Sequence, residues 1–303
     1  LEEVAKDEDL FNQFAASKNI FTQYTQDLYR FFKLYPYKNE FSDIFNWGFQ
    51  IQHWTSLGNI VTNKQVTRNI AEFFLENKHY HQAVELFKVI ERTEAGNLEL
   101  FEKIGYSYQQ IGDYENALLY YKKAELLDTK KAWITKKIAV CYRYLDKHSE
   151  ALEYYMEAEK LEPENLYIQA YIGHTLLRLE RYDEALKYYF KVEYLSPSNE
   201  KIQRPIAWIS FILGKFDTAI NYYQKILEKS QNDFDYIHLG HAHWCINNLE
   251  QAIESYKKAF GLLNNDMLKF KQYFDDDIDY LLKFGIKKLD ISLMKDYISE
   301  SVD

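Results

Sequence analysis

The side chains of this 303-residue chain that could do chemistry are few and scattered. His238, His241 and His243 fall close together, and imidazoles so near one another invite a metal-ligand reading. On a helix His238 and His241 share a side, but His243 points about 200° away from His241, so one helix cannot aim all three at one ion. His79 and His81 flank a turn and have no partner nearby in the sequence. The acidic run Asp275-Asp276-Asp277, with Asp279, lacks the alternating ligands and central glycine of a calcium loop. It lies in a helical pattern, which predicts a solvated face. There is no glycine-rich phosphate loop, no G-x-S-x-G and no His-Glu-x-x-His. Glutamates are plentiful, but nothing in their spacing makes two carboxylates converge in a cleft for acid–base work. The sequence therefore predicts no enzyme, no catalytic residue, no metal site and no cofactor. The chemistry left to it is recognition.

The elements that would present a recognition surface are short amphipathic helices. In Leu98–Lys131, Phe101, Ile104, Gly105 and Tyr108 share one helical face, Gly112-Asp113 breaks the pattern, and Ala117, Tyr121 and Ala124 share a second face. The stretch recurs. Ala83, Ala117, Ala151, Ala185 and Ala219 lie 34 residues apart, and Ala252 follows after 33. Four residues after each alanine stands an aromatic: Phe87, Tyr121, Tyr155, Tyr189, Tyr223 and Tyr256. Twelve residues before it stands a minimal side chain: Ala71, Gly105, Ala139, Gly173, Ala207 and Gly240. Each of these follows a large aliphatic, Ile70, Ile104, Ile138, Ile172, Ile206 or Leu239. Small residues let two helices cross at about 8–10 Å, and the aromatic fills the gap beside the crossing. Ala151→Leu would overpack it.

This pattern resembles the tetratricopeptide repeat. Leu-Gly of that family stands here as Ile104-Gly105, Ile172-Gly173 and Leu239-Gly240, and its closing proline as Pro163 and Pro197. Its tryptophan at position 4 is absent, with Phe101 and Tyr236 the nearest substitutes. Six repeats are read, at 64–97, 98–131, 132–165, 166–199, 200–232 and 233–266. The resemblance implies an all-α fold, a right-handed α-solenoid of helix-turn-helix repeats whose first helices line a concave, peptide-binding face. Pro205, early in the fifth repeat's first helix, predicts a local irregularity there. Cys141 and Cys245, three repeats apart, would lie beyond disulfide reach.

Family geometry puts Trp133, Lys136, Arg143 and Tyr144 of the third repeat on the concave face, and Tyr167, His174 and Arg178 of the fourth. The fifth contributes Lys201, Arg204, Trp208 and Phe211, and the sixth Phe234, His241 and Trp244, with His243 in the core. The groove so read holds five cations, no carboxylate and a run of aromatics, in a chain whose formal net charge is -9. One subfamily of these repeats clamps a C-terminal carboxylate. Lys136 and Lys201 match its lysines, but Val140 and His174 replace its asparagines and Pro205 its arginine.

Residues 1–63 fall off the grid. Helical patterns over Asp7–Ala16 and Asn19–Leu34, then aromatics including Phe41, Phe45, Trp47, Phe49 and Trp54, predict an N-terminal helical cap or degenerate repeat. Residues 267–303 predict a C-terminal cap: a helix to about Phe284, a break at Gly285 and a last helix, with Phe274 and Ile286 too large for the close crossing. The acidic balance argues against broad nucleic-acid binding, and no apolar run approaches the roughly 20 residues of a membrane span. The chain starts at Leu1 rather than Met, as a fragment or processed chain would, which leaves cytoplasmic and periplasmic settings both open. The function expected is a non-catalytic scaffold that binds an extended, acidic or aromatic-containing peptide along repeats three to six. Two other readings stand beside it: the structural arm of a longer enzyme, regulator or membrane-associated protein, and a glycan or small-ligand binder using groove and N-terminal aromatics.

Overall fold

The amphipathic segments form short helices joined by tight turns. The computed structural model describes residues 64–93, 97–128 and 131–300, with Gln23, Gln26, Asp27 and Arg30 before them, and among these residues the regular structure is helical throughout. The N-terminal cap expected over residues 1–63 lies otherwise outside the described residues. The chain divides into two compact units, Leu1–Lys147 and His148–Asp303. In the first are α1 (Lys64–Glu76), α2 (Tyr80–Glu91), α3 (Leu98–Ile111), α4 (Tyr114–Glu125) and α5 (Ala132–Tyr144). The second holds α6 (His148–Leu161), α7 (Leu166–Arg178), α8 (Tyr182–Leu195), α9 (Gln203–Ile212) and α10 (Phe216–Lys229). It continues through α11 (Asp233–Cys245), α12 (Leu249–Leu262), α13 (Met267–Asp276), α14 (Ile278–Lys283) and α15 (Lys288–Glu300).

The periodic columns are the core. All six column alanines, from Ala83 to Ala252, are fully buried, and the aromatics that follow them are at most 3% exposed. In the three hairpins whose small residue is glycine, the aromatic lies against that glycine. A Cβ on Gly105 would meet the Tyr121 ring at 2.9 Å, and one on Gly240 would meet Tyr256 at 2.4 Å. At Gly173 the Tyr189 ring stands back at 3.3 Å. The two sites should part on substitution. Gly240→Ala is expected to cost about 1–3 kcal/mol by overpacking. Gly173→Ala should be close to neutral, because alanine regains up to about 1 kcal/mol of helix propensity. Paired denaturant titrations check this, and equal costs at the two sites would reject the packing account.

The turn inside each hairpin uses one backbone device. Lys78, Gly112, Asp146, Glu180, Gly214 and Asn247 all have φ between 55° and 91°, the left-handed region that stops a helix and reverses the chain. Some helix starts are capped by side chains: Asn97 accepts from Leu100 N at 3.2 Å, Asp113 from Asn116 N at 3.0 Å, and Asn232 from Asp235 N at 2.8 Å. Pro205 has no N–H to bond back into the preceding turn, and the fifth repeat accordingly opens with a 3-10 turn over Glu200–Ile202 before α9.

Successive second helices are joined by side-chain rungs. In unit one, the Tyr120 hydroxyl and the Lys123 ammonium both donate to Glu91, each at 2.7 Å. Tyr188 and Lys191 do the same to Glu159 in unit two, at 3.0 and 2.9 Å, and Tyr222 donates to Glu193 at 2.6 Å. Partial burial pushes the Glu91 and Glu159 carboxyls up, but the lysine and tyrosine donors outweigh it and hold both below the ordinary range.

At the C-terminal end, α13 packs Phe270 and Phe274 onto Tyr256 and Phe260 of α12, with ring centroids 4.9–6.4 Å apart. Ile291, Met294 and Ile298 of α15 are buried as well. Where one helix was expected to run to Phe284, the chain breaks at Asp277, and α14 sets off separately until Gly285, at φ +92°, ends it.

Candidate functional site

The fourteen residues expected to line a groove divide by unit. In unit one they sit on α5. Trp133 is half-buried, edge-on to Tyr121 with centroids 5.7 Å apart, and Lys137 lies over its ring. Tyr144 is 53% exposed and stacks flat on Tyr114 at 4.3 Å, with the Arg143 guanidinium 4.7 Å above its ring. Lys136 is half-buried and makes no ion pair among the described residues.

In unit two, Tyr167 is 72% exposed at the start of α7, while His174 is half-buried and Arg178 exposed at the far end. Lys201 is exposed in the 3-10 turn, and Phe234 is 38% exposed at the start of α11. Neither Arg178 nor Lys201 makes an ion pair among the described residues.

Several expected groove residues are placed differently. Arg204 is committed: its Nε and Nη2 donate to the two oxygens of Asp235 at 2.8 and 2.6 Å. Asp235 is fully buried, so the face read as free of carboxylates contains one, already neutralised. Phe211 and His241 are fully buried and Trp244 is 8% exposed, edge-on to Tyr256. The burial of Phe211 and His241 has one source, because α13 and α14 lie across α9 and α11. Tyr280 stands edge-on to the half-buried Trp208 at 5.4 Å and lies near Phe211 at 6.4 Å. Phe284 packs on Phe211 at 5.7 Å, and Phe274 lies edge-on to His241 at 4.9 Å. His243 is buried too, away from this contact.

A polar knot sits within this apolar contact. Asp277, expected on a solvated face, is 7% exposed. Its carboxylate lies 3.0 Å from His238 Nε2 and 3.5 Å from His241 Nε2. His238 Nδ1 donates to the Phe234 carbonyl at 2.6 Å, and His241 Nδ1 is 2.8 Å from the Tyr256 hydroxyl. Burial alone would raise the Asp277 carboxyl. The hydrogen bonds and charge of the two imidazoles outweigh it and hold the group well below the ordinary carboxylate range. Burial also lowers the His241 pKa, with Asp277 opposing. Among the described residues no group of three or more His, Cys, Asp or Glu side chains is placed to hold an ion. Both cysteines are free. No helix of the described residues is long and apolar enough to cross a membrane.

Asp277, Asp235 and His238 carry this site; the sequence drew attention to His238 and Asp277 separately, but nothing in it paired them, and Asp235 went unremarked. The i, i+3, i+7 run Asp277-Tyr280-Phe284 was the available signal.

Comparison with known proteins agrees with this architecture. Two tetratricopeptide-repeat family profiles match, one at residues 98–131 and 236–266 and the other at 138–200. Among solved structures, the chain is similar to YrrB, described as "a TPR protein with an unusual peptide-binding site" (TM-score 0.55, 20% identity, 61% of this chain and 96% of that one). It is also similar to MamA from Desulfovibrio magneticus RS-1 (TM-score 0.52, 18% identity, 57% and 99%). A third is PilF of Pseudomonas aeruginosa (TM-score 0.53, 15% identity, 70% and 97%). At these identities the likeness is one of fold. No curated protein matches in sequence.

Proposed function

We propose that this chain, which is a tetratricopeptide-repeat protein, is a non-catalytic scaffold for protein–protein interaction, and that it takes an extended, acidic or aromatic-containing peptide on first-helix residues. The observation that supports this is a mismatch of charge. The chain is acidic overall, at -9, yet Arg178 and Lys201 stand exposed in unit two with no acidic partner among the described residues, and Tyr167 and Phe234 are exposed on the same first-helix series. Arginine and large aromatics are the residue types that anchor interfaces. Lys136, Arg143, Trp133 and Tyr144 offer the same combination on α5 of unit one. Residues 267–303 then serve as the C-terminal cap.

The expected result is that Arg178→Glu with Lys201→Glu weakens binding of an acidic-aromatic peptide by at least tenfold, measured by fluorescence anisotropy across a peptide array. Lys136→Glu tests unit one separately. Binding should also weaken as salt rises, because exposed charges are screened over about 8 Å at physiological ionic strength. Affinity unchanged in all three substitutions discards the reading. Arg204 is unsuitable for this test, since Arg204→Glu would set a second carboxylate against buried Asp235.

A further inference from the structure

One surface of unit two is already filled by its own chain, and the filling has the form of a docked ligand. Asp277, Tyr280, Leu281 and Phe284 are spaced i, i+3, i+4 and i+7, a single helical face. Each of the three outer positions meets its own feature. The carboxylate lies between His238 and His241, at 3.0 and 3.5 Å. The Tyr280 ring stands against Trp208. Phe284 packs edge-on to Phe216 at 4.8 Å and covers Gly214, where an added Cβ would come within 3.4 Å of it. Leu281 between them is fully buried.

Covering the end of the repeats does not by itself require this contact. Phe270 and Phe274 of α13, with the buried face of α15, already cover α12, the last helix of the final repeat. The α14 segment instead reaches back to α9, where Lys283 Nζ donates to the Ile212 carbonyl at 3.3 Å. It has six residues and a break at each end, Asp277 at φ -106°, ψ 5° and Gly285 at φ +92°. A helix so short has almost no stability of its own, so the surface beneath it imposes its form. Anchors at i, i+3, i+4 and i+7 in a complementary face are how an amphipathic helix binds a groove.

We infer that the α9–α11 face is a binding site for a partner protein's amphipathic helix bearing a carboxylate followed by aromatic rings three and seven residues on, and that α14 occupies this site in cis and is displaced by that helix. The site uses residues other than the exposed cations proposed above. Arg178→Glu and Lys201→Glu therefore leave it unchanged, and the two readings fail separately.

The test uses the full chain and a labelled synthetic peptide of residues 274–287 as probe. Tyr280→Ala with Phe284→Ala loosens the segment in cis. The peptide is expected to bind this variant at least tenfold more tightly than the wild type, and a peptide with asparagine at the Asp277 position to lose most of that gain. Equal affinity for variant and wild type, or binding to neither while the variant keeps its helicity and cooperative melting, overturns the inference. Should the variant lose its helical signal, hydrogen exchange on the wild type decides. The amides of α14 should open at least tenfold more often than those of α9 and α11, and equal protection makes α14 a core element. If light scattering shows the variant pairing with wild-type chain and not with peptide, the occupant is a second copy, and the external partner is overturned.

Discussion

Tyr256→Ala is expected to cost unit two about 3–5 kcal/mol, the usual loss for deleting a large buried aromatic. The ring is fully buried and bears on Trp244, Phe270 and Phe274, with centroids 4.9–6.4 Å away. It forms the wall that Gly240 leaves room for, and its hydroxyl meets His241 Nδ1 at 2.8 Å. Deletion would open a cavity between α11, α12 and α13 and strand a buried imidazole nitrogen. Tyr256→Phe separates the two effects: it keeps the ring and should cost only about 1–3 kcal/mol for the unpaired nitrogen. Urea titrations followed by circular dichroism read both. A loss below about 1 kcal/mol for the alanine variant would show that the ring does not hold these helices together. Total stabilities run to about 5–15 kcal/mol, so the alanine variant should be visibly marginal.

The second large effect belongs to Asp277. Removing one member of a buried charged cluster strands the others, and Asp277→Ala is expected to cost about 3 kcal/mol at neutral pH. It also predicts an acid profile. His241 has a folded pKa below its ordinary 6.5, so the unfolded chain binds the proton more readily. The stability this gives is present above about pH 6.5 and is lost as the pH falls below it. Asp277 has a folded pKa well below its ordinary 3.8. Its contribution is present above about pH 3.8 and drains as the pH falls further. Both act in the same direction, so the wild type should lose stability on acidification in two stages. Asp277→Ala should shrink the lower one to what Glu91 and Glu159, also held low, contribute. Melting temperatures from pH 7 to pH 2 check this, and a lower stage of undiminished size in the variant would reject the pairing.

The sequence disclosed most about what packing repeats. Gly105, Ala117 and Tyr121 recur in kind because each hairpin solves the same close crossing, and volume constraints leave a mark in residue type. The turns left a fainter mark. Gly112, Asp146, Gly214 and Asn247 are of types that tolerate a left-handed backbone, but Lys78 and Glu180 adopt it too, since the turn demands a φ value more than a particular side chain. The recognition surface was legible in composition and not in exposure. Periodicity places Phe211 and His241 on the first-helix face, but whether they meet solvent depends on α13 and α14, outside the repeat. Asp277 read as solvated because it sits between Asp276 and Ile278 in a helical pattern. The break at Asp277 turns one carboxylate of three inward, and no local pattern announces it. Arg204 read as available because its acceptor lies 31 residues on, in the next hairpin.

The tyrosine–lysine–glutamate rungs carry an architectural consequence. Each joins one hairpin to its successor, and none lies inside a hairpin. The hairpin of α7 and α8 carries both halves of a rung, the donors Tyr188 and Lys191 for Glu159 before it and the acceptor Glu193 for Tyr222 after it. A tandem copy of that hairpin would bring the same donors and acceptor with it, and so would enter unit two without orphaning a charge. Half a hairpin would not, and a shift of even a few residues in the 29-residue Glu193–Tyr222 interval would break that join.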